Sequence, residues 1–408
     1  MKTQLTSYFE NHSLFSKSQF GFRKKLSTTD AVENLVSDIL DGLESHKSSY
    51  AILCDLSKAF DCVSHEVLLK KLKIYGISGS EVRLISSYLS NRSQCVYYKD
   101  AYSKVESIEM GVPQGSVLGP FLFLIMVNDL PANVSNCNSL LFADDTSIYS
   151  SNSNISTLIN SMAKAYIETE NWFQVNGFTL NSKKTQKILF SVNNSTNTDT
   201  QTEVKLLGIT LDSKLTFEPH TNNICNRLSK VIYLLRQLKP LLPKSYLKDS
   251  YYALFNSILL YGITIWGNSH AILKVLKLQK KAIRILTGSS YVAHCRPLFI
   301  RERILTVVNI FILQCLVKIK KKLNNLQSIS DLHNYHTRNN HLLCLPFVRL
   351  SKSKKWYSSI ALAMFNKLPQ ETHHLNIVTF KTTLQGWLTD NPFYSLKEYF
   401  DSTVTLFK

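Results

Sequence analysis

The stretch SLLFADDTSIYSS, residues 139–151, sets two adjacent carboxylates, Asp144 and Asp145, between an apolar run and an alternating one. LLFA before the pair and SIY after it predict a β-hairpin packed on a core, with the aspartates at its turn. Aspartate suits a turn on its own account, because its side chain can hydrogen-bond nearby backbone. The flanks add a second consideration: they bring both carboxylates to the edge of a low-dielectric region, where like charges repel unless a cation neutralises them.

A second acidic strand end supplies a third carboxylate. In AILCDLSKAFD, residues 51–61, the apolar segment 50–56 reads as a buried strand, and Asp55 stands at its carboxyl end, where the ligands of sheet proteins tend to gather. If that strand lies beside the FADD hairpin, Asp55 and Asp144 would hold two magnesium ions roughly 3.5–4 Å apart, an arrangement suited to phosphoryl transfer. Hard divalent cations take oxygen ligands and keep some water, so three carboxylates plus triphosphate oxygens would suffice.

The surrounding pattern is mixed and then helical. HEVLLKKLKIYG puts Leu68, Leu69, Leu72 and Tyr75 on one helical face and stops at Gly76. QCVYYK and SKVESIEM read as two strands around a turn at Asp100, and GPFLFLIMVNDLP, apolar nearly all round, reads as a core helix. From Ile155, the positions Leu158, Met162, Ala165 and Trp172 follow helical spacing to the Asn176–Gly177 stop. KILF and VKLLGITLDSKLTF read as strands, the latter a hairpin around Asp212 and Ser213, with a solvated Ser/Asn/Thr loop between. Beyond about Glu218 the pattern is helical.

Composition bounds the function. The 408 residues are 44% hydrophobic and 19% charged, which describes a globular chain rather than a disordered one. The formal net charge is +18, and residues 205–322 hold twenty basic and four acidic residues, so the second half carries nearly all of the excess. Such a surface suits a polyanion. Within it, AILKVLKLQKKAIRIL places Lys274, Lys277, Lys281 and Arg284 on one helical face opposite an apolar one, a stripe suited to phosphate contacts that salt would weaken. The eight cysteines form no CxxC pair and no regular spacing, which predicts free thiols in a reducing compartment. There is no signal-type apolar segment near the start, and the mostly apolar run of residues 304–317 has 14 residues, short of the roughly 18 of a spanning helix. The expectation is an intracellular chain in nucleus or cytoplasm, with no membrane segment and no secretion. His333, His336, His341 and Cys344 form an H-x2-H-x4-H-x2-C pattern whose central gap is short for zinc, and no site is assigned there.

Six segments carry a resemblance. QFGFRKKLSTTDAV, AILCDLSKAFDCVSHEVLLKKL, GVPQGSVLGPFLFLIMVNDLP, LLFADDTSIYSS, LNSKKTQKILF and VKLLGITLDSKLTF occur in the order found in the reverse transcriptase domain of non-LTR retrotransposons, and the chain is most similar to the jockey-like LINE type. LLYGITIWGNS, LQKKAIRILTG and the region around RLSKSKKWYSS resemble the later segments of those proteins. The resemblance implies an α/β (α+β) right-hand polymerase palm with partial fingers, followed by a mostly α-helical basic thumb. It divides the chain into partial fingers 1–48, palm 49–217, thumb 218–325 and C-terminal segment 326–408. It implies an RNA-directed DNA polymerase acting with Mg2+, with Mn2+ as a substitute, on an RNA template, a DNA primer or nicked target DNA, and deoxynucleoside triphosphates. The other reading is an inactive element-derived relic that only binds nucleic acid.

By the same resemblance, Asp55, Asp144 and Asp145 are the catalytic, metal-binding aspartates, with the Leu56 carbonyl also facing a metal. Asp144 is the bridging ligand and Lys184 the acid that protonates the leaving pyrophosphate. Phe60 stands beneath the sugar of the incoming nucleotide, Gln114 and Gly115 line the nucleotide–template pocket, and Arg23 contacts template or nucleotide. Leu207 and Gly208 belong to the primer grip. The resemblance also implies a fingers segment ahead of Gln19, of which this chain, starting eighteen residues earlier, would hold only part.

Overall fold

A computed structural model describes residues 1–192, 200–331 and 340–404. It divides into two compact units, Met1–Gly208 and Ile209–Lys408.

The first unit is built on a four-stranded antiparallel sheet. In chain order its strands are β1 (Ser48–Cys54), β2 (Asn138–Phe142), β3 (Asp145–Asn152) and β4 (Gln186–Phe190), and their spatial order is β2-β3-β1-β4. All seven residues of β1 are buried, as expected of a strand that is paired on both edges and covered on both faces. The register sets Cys54 opposite Thr146, Leu53 opposite Gln186, and Phe142 opposite Asp145. Helix Thr28–Glu44 covers part of the sheet. Ser27 caps it by accepting from Asp30 N (3.2 Å), and its face from Ala31 and Val32 through Ile39 to Leu43 is buried.

The apolar helix is Gly119–Val127, buried along nearly its whole length with Pro120 in its first turn. It sits in a core shared with Leu68, Leu72, Ile85, Met162, Phe173 and Ile52. Helix His65–Ile74 starts at a Ser64 cap and buries Leu68 and Leu72 as the spacing predicts. It also buries Lys71, whose ammonium donates to Met126 O (2.7 Å) and Asp129 (2.6 Å) and lies 4.6 Å from the Trp172 ring centre. Helix Ile155–Val175 ends at Asn176, with Gly177 at φ +83°.

Two sequence readings need adjusting. The segment around Asp100 is a nested pair of hairpins: Tyr97–Tyr98 pairs with Ala101–Tyr102, and Arg92–Gln94 with Glu106–Ile108. The later strands run Glu203–Leu206 and Ile209–Asp212, so the chain turns at Leu207 (φ +45°) and Gly208 (φ +81°) rather than at Asp212 and Ser213. Asp212 is engaged otherwise: its carboxylate accepts from Thr216 N, Thr216 Oγ1 and Phe217 N.

The second unit is helical, with Glu218–Leu238, Ile272–Thr287, Val307–Lys322, Tyr357–Asn366 and Ile377–Asp390 among its helices. Its core includes Gln279, fully enclosed, which donates to Tyr251 Oη and Leu305 O (2.9 Å each) and accepts from Val307 N (2.8 Å). None of the eight cysteines forms a disulfide. Among the described residues, no helix is long and apolar enough to cross a membrane.

Candidate active site

The FADD segment forms the turn between β2 and β3. Phe142 pairs with Asp145, leaving Ala143 and Asp144 to reverse the chain, and Ala143 takes φ +58° to do so. Asp55 and Asp145 each adjoin Cys54 and Thr146, the last residues paired between β1 and β3, so the two carboxylates stand at the same end of the sheet.

They line one cleft of about 400 Å3 together with Lys183, Lys184, Gln186, Gln201 and Lys205. Asp144 stands on the turn, half-buried, outside that lining. Asp145 is exposed overall, yet burial of its carboxyl by the strand ends is the leading cause that pushes its pKa up to about 6. The charges of Asp144 and Asp55 raise it further. Crowding by its neighbours thus makes Asp145 resist ionisation. The Lys184 ammonium stands 3.5 Å from Asp55 Oδ2 and offsets part of that charge. Cys54 shares the cleft wall, but burial drives its thiol up to about 12, so it stays protonated.

The backbone around Asp55 is tied down. Asn181 N donates to Asp55 O (2.8 Å) and Ser57 N to Thr179 O (3.0 Å), on either side of a bridge between Leu56 and Leu180. The Leu56 carbonyl is outside those bonds. Asn181 O in turn accepts from Lys184 N and Thr185 N, which orders the turn carrying both lysines.

Phe60, on the short helical turn Ala59–Cys62, stacks on Phe123 (4.5 Å between centroids, 24° between planes) with Phe22 at its edge. Gln114 donates to Asp61 Oδ1 (2.9 Å). Gly111 N donates to Val63 O and Val112 N to Phe60 O, binding the PQG loop to the Phe60 turn. Gly115, at φ +81°, has nothing within 4 Å of where a Cβ would stand. A second cleft, of about 660 Å3, runs from Arg92 and Ile108 to Gln114.

The structure does not bring Arg23 to either cleft. Its guanidinium pairs with both oxygens of Glu10 (2.8 and 3.1 Å), donates to Ser16 O and Gln19 O, and lies over Phe15. On helix Ile272–Thr287, Lys277 and Lys281 are exposed, Lys274 pairs with Glu218 (3.1 Å), and Arg284 donates to Ala293 O (3.0 Å). Of the His/Cys pattern, His333 and His336 lie outside the described residues. Among the described residues, no three Asp, Glu, His or Cys side chains are grouped closely enough to hold a metal ion on their own.

Residue-by-residue reading missed two supports of the aspartate turn. Gln19, fully buried, accepts from Gly21 N (2.8 Å) and Ala143 N (3.3 Å), while Phe20 N donates to Leu141 O and Leu141 N to Ser18 O. A Cβ on Gly21 would stand 2.3 Å from Ala143 N, so the turn packs directly on glycine backbone. The QFGFR segment was the signal: its glycine and glutamine have no role in a free loop. Lys183, Gln201 and Lys205 in the cleft wall were also unforeseen, because a lone surface lysine or glutamine carries no pattern.

Residues 1–211 match the family described as reverse transcriptase (RNA-dependent DNA polymerase). The chain is 28% identical over 320 residues to a probable RNA-directed DNA polymerase from transposon BS of Drosophila melanogaster, covering 71% of this chain and 34% of that protein. It is 29% identical over 308 residues to the corresponding protein of the X-element of the same organism, again covering 71% and 34%. The chain thus spans about a third of the length of the curated relatives it matches. Among solved structures, apo telomerase from Candida tropicalis is similar at a TM-score of 0.42 and 14% identity, covering 74% of this chain and 52% of that one.

Proposed function

We propose, on the premise that this chain belongs to the reverse transcriptase (RNA-dependent DNA polymerase) family, that it carries out RNA-templated DNA synthesis. In that reaction the primer 3′-hydroxyl oxygen bonds to the α-phosphorus of a deoxynucleoside triphosphate, and pyrophosphate leaves. The observation that carries the reading is the cleft in which Asp55 and Asp145, at one end of the paired strands β1 and β3, stand beside Lys183, Lys184 and Lys205. Carboxylates and ammonium groups in one open cleft suit a ligand that brings phosphates and cations together.

The residues fit a divalent cation. Asp145 is held partly protonated by burial and by its acidic neighbours, a strain that a cation would relieve. The protein donors are too few to complete a coordination shell, which suits Mg2+ sharing its shell with triphosphate oxygens and water. Asp55, Asp145, Asp144 from the turn, and the Leu56 carbonyl would hold it. Bound there, it would supply charge neutralisation at the reacting phosphate and acidify the attacking hydroxyl.

The remaining roles belong to side chains. Lys184 is within reach of the Asp55 charge and would donate its proton to the departing pyrophosphate. Phe60, braced by Phe123, would stand under the sugar and leave no room for a 2′-hydroxyl. Gln114, steadied by Asp61, and the open face of Gly115 would meet the templating base pair. Leu207 and Gly208 would touch the primer end, and Lys277 and Lys281, joined by Lys274 and Arg284, would contact phosphates. Partial fingers 1–48, palm 49–217, thumb 218–325 and C-terminal segment 326–408 remain the division we favour.

The test is extension of a DNA primer on an RNA template with Mg2+, beside Asp55→Asn and Asp145→Asn. Each substitution should lower incorporation by about a hundredfold or more while binding of primer–template is kept. Extension that persists in both variants would refute the assignment.

A further inference from the structure

The second unit holds a pocket to which the polymerase reading gives no task. It encloses about 150 Å3 and is built from three segments far apart in the chain, 214–217, 265–270 and 351–356. Its floor is apolar: Leu215, Phe217, Ile265 and Trp356, with the Phe217 and Trp356 rings near-parallel at 18° and 6.2 Å between centroids. Its rim carries the ammonium groups of Lys214, Lys352 and Lys355, with His270 beside them, and no Asp or Glu lines it.

The pocket is held in shape by bonds that use up its polar neighbours. Asp212, the nearby carboxylate, is occupied by three hydrogen bonds from Thr216 and Phe217. Asn268 Nδ2 donates to Lys355 O (2.8 Å), which joins the second segment to the third. The Lys355 ammonium lies 3.0 Å from His270 Nε2 and donates to it when the imidazole is neutral. Lys352 is half-buried, and burial lowers its pKa; Asp212 opposes that shift and Lys214 adds to it. Ammonium groups gathered around an apolar hollow are costly unless an anion joins them. A carboxylate would satisfy the rim and leave the floor wet, whereas a nucleotide brings a phosphate for the rim and a flat body for the floor.

We infer that this pocket takes one nucleotide unit of a single-stranded polynucleotide, its phosphate on Lys214, Lys352 and Lys355 and its sugar–base body on the floor of Leu215, Phe217, Ile265 and Trp356. The choice of a nucleic acid over an acidic peptide rests on the polymerase reading.

The experiment is fluorescence anisotropy of the full chain with a labelled single-stranded RNA of about 12 nucleotides across a salt series. Each lost lysine contact should flatten the slope of log affinity against log salt by about 0.7. Lys352→Gln with Lys355→Gln should therefore flatten it by about 1.4 and weaken binding about tenfold. The arginine pair at the same positions should keep wild-type affinity, and thermal unfolding reports whether each variant is folded. Lys321→Gln with Lys322→Gln, which removes the same charge from an exposed helix end, should change affinity less than twofold. An abasic strand should bind the wild type about fivefold more weakly than the RNA. Equal loss in the two glutamine pairs, equal binding of the abasic strand, or competition by polyglutamate as effective as by RNA would overturn the assignment. Primer extension by the wild type, run on a pre-annealed duplex, is read separately. Its absence together with the predicted binding pattern would refute the polymerase reading and leave the pocket standing.

Discussion

Two glycines of the GVPQG segment share a backbone conformation but not an environment, and replacing each with alanine separates the two costs. Gly111 has φ +89° and Gly115 φ +81°, so either alanine places an L side chain in left-handed backbone at about 1–2 kcal/mol. At Gly115 that is the whole cost, since nothing lies within 4 Å of the new Cβ. At Gly111 the Cβ would stand 2.8 Å from Asp61 O and 2.9 Å from Asp61 Cα, both backbone atoms that cannot rotate away. Relief needs a shift of roughly half an ångström, judged against ordinary van der Waals separation. That shift pulls on three hydrogen bonds: Gly111 N to Val63 O (2.8 Å), Val112 N to Phe60 O (2.9 Å) and His65 Nε2 to Gly111 O (2.7 Å). At about 0.5–1.5 kcal/mol each, weakening them brings the Gly111→Ala cost to about 4 kcal/mol, against about 1 for Gly115→Ala. Urea unfolding with linear extrapolation measures both. Costs within about 1 kcal/mol of each other would refute the claim that the loop is clamped onto the Phe60 turn at Gly111.

Three further outcomes are expected. Lys71→Ala should cost about 4 kcal/mol, because it strands Asp129 and Met126 O and removes the stem packed against Trp172, while Lys71→Met, keeping the stem, should cost about half as much; equal costs in urea unfolding would count against the packing share. His220 is buried with its Nδ1 accepting from Thr210 N, and burial, followed by the Arg227 charge, lowers its pKa from 6.5 to about 4. The unfolded chain therefore binds the proton more readily between those values, so stability is full above about pH 6.5 and falls by about 3 kcal/mol as the pH drops towards 4. His220→Asn, which keeps an acceptor for Thr210 N, should remove that part of the pH dependence, and an unchanged profile from pH 7 to 4.5 would dismiss it. Phe60→Val should raise the ribonucleotide to deoxynucleotide ratio of kcat/KM at least about tenfold, the scale of one steric contact in a specificity pocket; an unchanged ratio would remove Phe60 from beneath the sugar.

Much of this arrangement could be read in the chain, and the exceptions have physical causes. The strand before Asp55, the run that leads into the paired aspartates and the apolar helix after Gly119 announce themselves because burial leaves an apolar record. Lys71 is hidden by the opposite circumstance: its position on the helix reads as polar, and only the third dimension brings a carbonyl, a carboxylate and an indole to its ammonium. Asp212 looks like turn chemistry and is, but for the loop that follows it, so the reversal falls instead at Leu207 and Gly208. Arg23 is a charged residue inside a motif, which invites a ligand role, while its donors are taken by Glu10 and two carbonyls. The rim of the basic pocket draws on residues more than a hundred positions apart, a convergence that no local pattern records.

The strand order also has a consequence during synthesis. β1 finds its partners far downstream, Cys54 opposite Thr146 and Ser49 opposite Phe190. At roughly 5–20 residues per second, a ribosome that has released β1 works for about 5–20 seconds more before its first neighbour emerges. Throughout that interval an uncharged, apolar segment with two open edges waits in the nascent chain, the kind of segment most apt to pair with the wrong partner. Asp55 has no opposing carboxylate until then. The cell that makes this protein must shelter β1 for seconds before any cation-binding cleft exists, so its yield of folded chain should respond more to chaperone supply and translation speed than to changes at the cleft itself.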